Sequence, residues 1–324
     1  MGQSRRTSAL TTALRVALSG VRRYPGELID SVRGATHAGV RGLVVPPGVD
    51  VAAHGVAAAW LGHASVLVKV DDAWILTDPV LSLRIGMRLG ATRGGGERVF
   101  GLARRLDTID VATLPPIDVI LLSHAHYDHL DVPTLETLAA RSAGRTGVIA
   151  AAGLMDLVPK GFAWARELAW DEVTRAGTLT IRALAPRHWG ARTVLDRSRG
   201  FNAYHVQGER GSVFFAGDTA WTRGFAGARA DVSLFGIGAY DPWEDAHATP
   251  EDAWDMHVST GSRYMMPIHH RTFRLSDEPS EEPMARLRAV AGGAGGEGNG
   301  AGGEGSGAGV IVPDDLGRLW VPGM

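Results

Sequence analysis

The chain has 324 residues, a formal net charge of −2 and 45% hydrophobic residues. That length and apolar content can bury one substantial core, the near-neutral charge offers no general basis for nucleic-acid binding, and the absence of cysteine excludes disulfides and thiolate metal ligands. No apolar stretch approaches the roughly 20 uninterrupted residues that span a bilayer, so the expectation is a cytoplasmic protein, soluble or peripheral at a membrane.

In chain order, residues 1–45 form a basic arm: Arg5, Arg6, Arg15, Arg22, Arg23, Arg33 and Arg41 outweigh Glu27 and Asp30, and Leu10, Leu14, Leu18 and Val21 fall on one helical stripe. Three readings stand for it: a structural or disordered arm, a helix on a membrane surface, and a twin-arginine-like export signal. Arg15 interrupts the apolar run and no clear cleavage site follows, which argues against export. Residues 46–324 read as one catalytic domain. Strands are predicted over 65–70 and 74–77, joined by a hairpin turn at Asp71-Asp72. Residues 84–107, with several arginines and Gly94-Gly95-Gly96, predict a mobile, substrate-facing insert. A buried strand over 119–122 is followed by a loop and then a helix over 134–140, introduced by Asp131 and Pro133. Further strands are predicted over 148–151, 178–183, 203–207, 212–216 and 232–235, and a helix over 250–259. Residues 292–309 are a Gly-rich tract that cannot build a core, predicting a disordered surface loop from which 310–313 return to the domain.

The chemistry concentrates in Ser123-His124-Ala125-His126-Tyr127-Asp128-His129-Leu130-Asp131, which places three imidazoles and two carboxylates on a strand-to-helix loop. Imidazoles two residues apart can converge on one cation, while Asp128 and His129 across the turn can bind a second. The plainer alternative is a polar loop that happens to hold histidines. His188, Asp218 and His269 each follow an apolar strand-like segment, where side chains project from a sheet edge into a common cleft.

In this order, His124, His126, Asp128, His129, His188, Asp218 and His269 resemble the pattern of the metallo-β-lactamase superfamily. Trp60-Leu61-Gly62-His63-Ala64-Ser65, Leu76-Thr77-Asp78-Pro79, His188-Trp189-Gly190-Ala191-Arg192-Thr193, Gly238-Ala239-Tyr240-Asp241-Pro242 and Ile268-His269-His270-Arg271-Thr272-Phe273 look like its N-acylphosphatidylethanolamine-hydrolysing phospholipase D branch. The resemblance implies an α/β fold, an αββα sandwich of two mixed sheets between helices. It also implies two zinc ions, with iron or manganese as alternatives at the same donors. His124, His126 and His188 would hold one metal, Asp128, His129 and His269 the other, with Asp218 between them and a hydroxide attacking the phosphorus of a phospholipid or small phosphodiester. Asp128, Asp218 and His247 would be catalytic. A lactonase or small-ester hydrolase of the same fold is the alternative activity, and a non-catalytic metal-binding scaffold a third; retention of all the ligand types argues against the last. No reading of the oligomeric state follows.

Around this set, Asp78 reads as a partner for a ligating imidazole or as a turn residue before Pro79. His63 reads as a site or a core histidine. His247 reads as a leaving-group or phosphate contact, or as helix entry. Tyr240 is expected to line the cleft or the interior. His270 and Asn202 stand where the family usually has bulkier aromatic residues, and both are expected near the substrate cleft. Adjacent residues of an extended segment point to opposite sides, so His269 is expected at the metals and His270 toward the cleft mouth.

Overall fold

Alternating apolar residues build two sheets. The computed structural model describes residues 38–89, 98–192, 196–294 and 309–324; most of the basic arm, the Gly94-Gly95-Gly96 run and most of the Gly-rich tract lie outside the described residues. The first sheet holds β1 (Val56–Trp60), β2 (Val66–Val70), β3 (Ala73–Thr77), β4 (Val119–Leu122), β5 (Gly147–Ala151) and β6 (Trp164–Leu168) in that spatial order. β1 to β3 pair antiparallel and β3 to β6 parallel. The second sheet holds β7 (Val173–Ala176), β8 (Leu179–Leu184), β9 (Ala203–Gln207), β10 (Ser212–Phe215), β11 (Val232–Gly236), β12 (Tyr264–Ile268) and β13 (Val310–Ile311), again in order. There the pairings are antiparallel as far as β10 and parallel beyond it.

Each strand sends alternate residues to opposite faces, which yields three apolar layers. Val56, Ala58, Trp60, Val66, Val68 and Leu121 meet Ile181, Tyr204, Val206, Phe215, Leu234 and Met266 between the sheets. Ala57, Leu67, Leu76, Ile120 and Val148 on the outer face of the first sheet pack with Leu135 and Leu138 of helix α1 (Val132–Ser142). Phe214, Phe235 and Met265 on the outer face of the second pack with Trp254 and Met256 of α2 (Pro250–Thr260) and Met284 and Leu287 of α3 (Glu282–Ala294). The result is the αββα sandwich. α1 starts where the Asp131 carboxylate accepts the Thr134 N–H, and α2 where Thr249 and Asp252 cap each other reciprocally; α2 stops at Gly261 in the left-handed region. None of the described helices is long and apolar enough to cross a membrane.

The departures from expectation lie at edges. Within 84–107, the expected mobile insert, Arg84–Leu89 and Arg98–Ala103 pair as an antiparallel ribbon. Val40–Arg41, read as part of the arm, pairs parallel with Thr108–Ile109, and Val44 bridges Arg318. β1, β6 and β7 were not expected: β1 is a short, fully buried run rich in alanine, and edge strands such as Trp164–Leu168 expose a polar face and carry little apolar alternation.

His257 of α2 is buried among core side chains, its Nδ1 2.8 Å from Ser233 Oγ. Burial pushes its pKa down to about 4, against about 6.5 in an unfolded chain. The folded state therefore binds fewer protons, and this contribution is complete above pH 6.5 and lost as pH falls toward 4. Denaturant unfolding of chelator-treated protein should show His257→Asn losing less stability than wild type between pH 6.5 and 4, by on the order of 3 kcal/mol. Parallel pH profiles of the two proteins would refute this role for His257.

Candidate metal centre

Every side chain singled out by the ligand pattern follows the C-terminal end of a strand, and those ends share one edge of the sandwich. His63 follows β1, Asp78 follows β3 and the 123–131 loop follows β4; His188 follows β8, Asp218 follows β10 and His269 follows β12. β1, β3 and β4 run in one direction, as do β8, β10 and β12, so within each sheet these ends fall at the same edge. Two local devices sharpen the approach. Gly217 has φ +59°, and a Cβ there would come within 2.9 Å of Asn202 O and Ser123 Cβ, so only glycine lets the Asp218 turn close on the loop. His63, Asp78 and His269 adopt φ of +52°, +31° and +60°, costly for non-glycine residues and sustained only where surrounding bonds over-determine them.

The donors gather in overlapping sets. One nitrogen each from His124, His126 and His188 and one Asp218 oxygen lie within 4.8 Å of one another; so do one atom each of His63, Asp128, His129 and His269, and one each of Asp218, His247 and His269. His124 Nε2 is 2.8 Å from His126 Nδ1, which is 3.4 Å from His188 Nε2. Asp218 Oδ2 lies 3.1 Å from His129 Nε2, 3.3 Å from His269 Nε2, 3.6 Å from His247 Nδ1, and 3.8 Å from both His124 Nε2 and His188 Nε2. Two donors of one tetrahedral zinc, each ~2.0–2.1 Å from it, would stand about 3.3 Å apart, inside the range of 2.8 to 3.8 Å spanned by these contacts.

The residues fit a metal on two counts. Asp218 Oδ2, His129 Nε2 and His269 Nε2 are buried and have no hydrogen-bond partner among the described residues, yet converge. Buried polar atoms of this kind are costly unless something satisfies them. Charge tells the same story. Burial opposes ionisation of Asp128 and Asp218, but His129 and the other surrounding imidazoles outweigh it and hold both carboxyls well below the usual range. Burial likewise opposes charge on His129 and His269; Asp218 leads the groups that overcome it, and His269 is pushed up to about 9. The spot demands positive charge. On the other side, burial and neighbouring imidazoles hold His124 well below its ordinary value and His126 down to about 4, leaving the neutral form that ligates cations.

Supporting bonds fix these side chains. Asp78, fully buried, is 2.6 Å from His129 Nδ1 and accepts from the Ser123 N–H at 2.7 Å and from the Ser123 hydroxyl, which turns His129 Nε2 toward the site. Burial pushes the Asp78 carboxyl up. His188 Nδ1 lies 3.0 Å from Ala246 O. Arg192 Nη1 donates to Ala125 O and Leu130 O at 2.8 and 3.0 Å, and its guanidinium stacks 4.2 Å over the Tyr127 ring, clamping both ends of the loop. Tyr204 donates to Leu122 O from the opposite sheet. Arg192, Ser123 and Tyr204 act through backbone carbonyls and loop closure, which no residue pattern reveals.

The structure corrects the expectation for His270 and narrows two others, Tyr240 taking the interior one of its two readings. Tyr240 does not turn to the donors: its hydroxyl donates to Glu282 on α3 and its ring packs under Arg286. His270 does not reach the cleft mouth, because positive φ at His269 breaks the extended backbone; the His270 ring is buried and stacks on Trp60 at 4.7 Å. Asn202 is buried too, donating to Leu168 O and Tyr204 Oη.

Residues 73–270 match the beta-lactamase superfamily domain family. Among curated relatives, an uncharacterized protein of Mycobacterium tuberculosis is 32% identical over 248 residues, 73% of this chain and 64% of that protein, so the match spans less than two thirds of that relative's length. An N-acyl-phosphatidylethanolamine-hydrolyzing phospholipase D of Caenorhabditis elegans is 29% identical over 73% of this chain and 70% of its own. Among solved structures, an isothiocyanate hydrolase from Delia radicum gut bacteria aligns with a TM-score of 0.56 at 16% identity, covering 82% of this chain and 98% of that one. The metallo hydrolase Igni18 of Ignicoccus hospitalis aligns with a TM-score of 0.52 at 18% identity, over 72% and 91% of the two chains.

The neighbouring histidines separate cleanly by experiment. His269→Ala should lower metal content measured by elemental analysis, whereas His270→Ala should keep it while losing about 1–3 kcal/mol of stability with the Trp60 stack. Metal loss in the His270 variant alone would reverse the assignment.

Proposed function

The chain belongs to the metallo-β-lactamase superfamily of metal-dependent hydrolases, and from that premise we propose that it is a dinuclear zinc phosphodiesterase acting on N-acylphosphatidylethanolamine-like lipids. The observation that carries the reading is Asp218 Oδ2, shared between the His124–His126–His188 set and the Asp128–His129–His269 set. With cations bound, these residues would present a site where the charge of a phosphodiester is neutralised and where water would be acidified toward neutral pH. His124, His126 and His188 would hold one and Asp128, His129 and His269 the other, with Asp218 between.

The protein's own groups do the positioning. Asp78 holds the His129 Nδ1 proton and leaves Nε2 free to bind. His247 reaches the site from the residues after β11, with its side chain 16% exposed and Nδ1 3.6 Å from Asp218. Burial keeps it neutral, so it can present an N–H to a phosphoryl or leaving-group oxygen.

Two observations support a lipid substrate. The relative from Caenorhabditis elegans is a phospholipase D of this specificity. An aromatic wall also runs outward from the donors: Trp189 lies 4.4 Å from His126, Phe201 6.4 Å from His188, and Trp170 5.3 Å from Phe201. Trp189 and Trp170 are 46% and 49% exposed. The Trp170 N–H is already given to Phe201 O, so its exposed ring offers apolar surface suited to acyl chains.

Metal-loaded protein should release phosphatidic acid and an N-acylethanolamine from N-acylphosphatidylethanolamine, identified by mass. Free fatty acid, or opening of a lactone in their place, would overturn the phosphodiester reading. Asp218→Ala should abolish most turnover together with bound metal. His247→Asn should slow kcat by about 10²-fold or more with metal content unchanged.

A further inference from the structure

We infer that His63 is the positioning residue for Asp128, donating its Nε2–H to the carboxylate and fixing which oxygen is offered to a cation. His63 clusters with Asp128, His129 and His269 but is not among the ligands proposed above, and the inference rests on the reading that Asp128 and His269 hold one of the cations. Its ring is fully buried, with Nε2 2.9 Å from Asp128 Oδ2, the length of an N–H···O hydrogen bond. That same oxygen faces His269 Nε2 at 3.4 Å and His129 Nε2 at 3.7 Å. An ionised carboxylate only accepts, so the proton of this contact belongs to the imidazole.

The backbone of His63 is committed to the same task. Its N–H donates to Thr272 Oγ1 at 2.6 Å, and its carbonyl accepts from the His269 N–H at 3.0 Å and from Trp60 Nε1 at 2.8 Å. One residue thus links the end of β1, the end of β12 and the ligand loop after β4. A residue at φ +52° is sustained by such a set of bonds. Among the described residues His63 Nδ1 is buried without a hydrogen-bond partner, so the side chain's single hydrogen bond there is the one to Asp128. Ring contacts with His269 at 4.0 Å and Phe273 at 5.3 Å leave it no room to turn away.

The test uses full-length protein stripped with chelator and titrated with Co²⁺, followed by visible absorption and by competition for affinity. Gln places an amide N–H where His carries Nε2, so His63→Gln should keep wild-type stoichiometry and a near-wild-type spectrum. His63→Leu should weaken one class of Co²⁺ site about 10- to 100-fold, the effect expected of a residue that orients a ligand. In an Asp128→Asn background, His63→Leu should add little further loss, because its effect passes through Asp128. Circular dichroism of the stripped variants checks that each is folded, and the Gln rescue is read in any case.

Wild-type affinity in His63→Leu would overturn the proposal. Equal loss in the Gln and Leu variants would overturn it in favour of His63 as a ligand itself. A wild-type protein that binds Co²⁺ normally yet cleaves no phosphodiester would sink the substrate reading alone, whereas one that binds no Co²⁺ would sink both.

Discussion

Two ionised carboxylates buried against imidazoles, Asp128 and Asp218, set the terms for the rest of this molecule. An unpaired charge away from water costs far more than a folded domain can spare, so it persists only where positive charge and donated protons meet it. The surrounding architecture delivers those partners. Strand ends from two sheets bring His129, His269, His63 and His247 to within a few ångströms of the carboxylates. The interior that fixes them there is assembled from residues with no chemical part in the site, such as Val66, Leu121, Phe215 and Ile268.

The approach of backbone to backbone is what the site's local conformations serve. Gly217 permits the Asp218 turn to rest on Ser123, while His63, Asp78 and His269 hold strained φ values at the same edge. Unlike the glycine, these three keep side chains that the site needs, and bonds from Thr272, Leu121 and Trp60 hold them in place.

Much of this was legible in the sequence, and the reason is physical. β4 and α1 bracket the His124–His129 loop with unmistakable signals: a β-branched apolar run on one side and an Asp131-Pro133 cap on the other. The central strands Val119–Leu122 and Ala203–Gln207 are buried along most of their length and carry strong apolar patterns. Edge strands β6 and β7, the Arg84–Leu89 ribbon and α3 were illegible because half-exposed elements tolerate charged residues. Near the site, identity was readable and direction was not. Tyr240 lies seven residues before His247 and His270 directly follows His269, yet a change of φ at Ala239 and His269 turns the following side chains to Glu282 and Trp60. Arg192 escaped notice as a clamp because its partners are carbonyl oxygens, which every residue has.

The division of donors between the sheets has a mechanical consequence. His63, Asp78 and the His124–His129 loop belong to one layer, while His188, Asp218, His247 and His269 belong to the other. Close-packed apolar side chains resist separation and sliding of the layers, yet dispersion contacts change only gradually over shifts of a few tenths of an ångström. The donor cluster has less tolerance, since metal–ligand distances are held to within about 0.2 Å. The edge that gathers these donors is therefore also a vernier, by which a displacement too slight to disturb the hydrophobic interior alters the spacing of the donors.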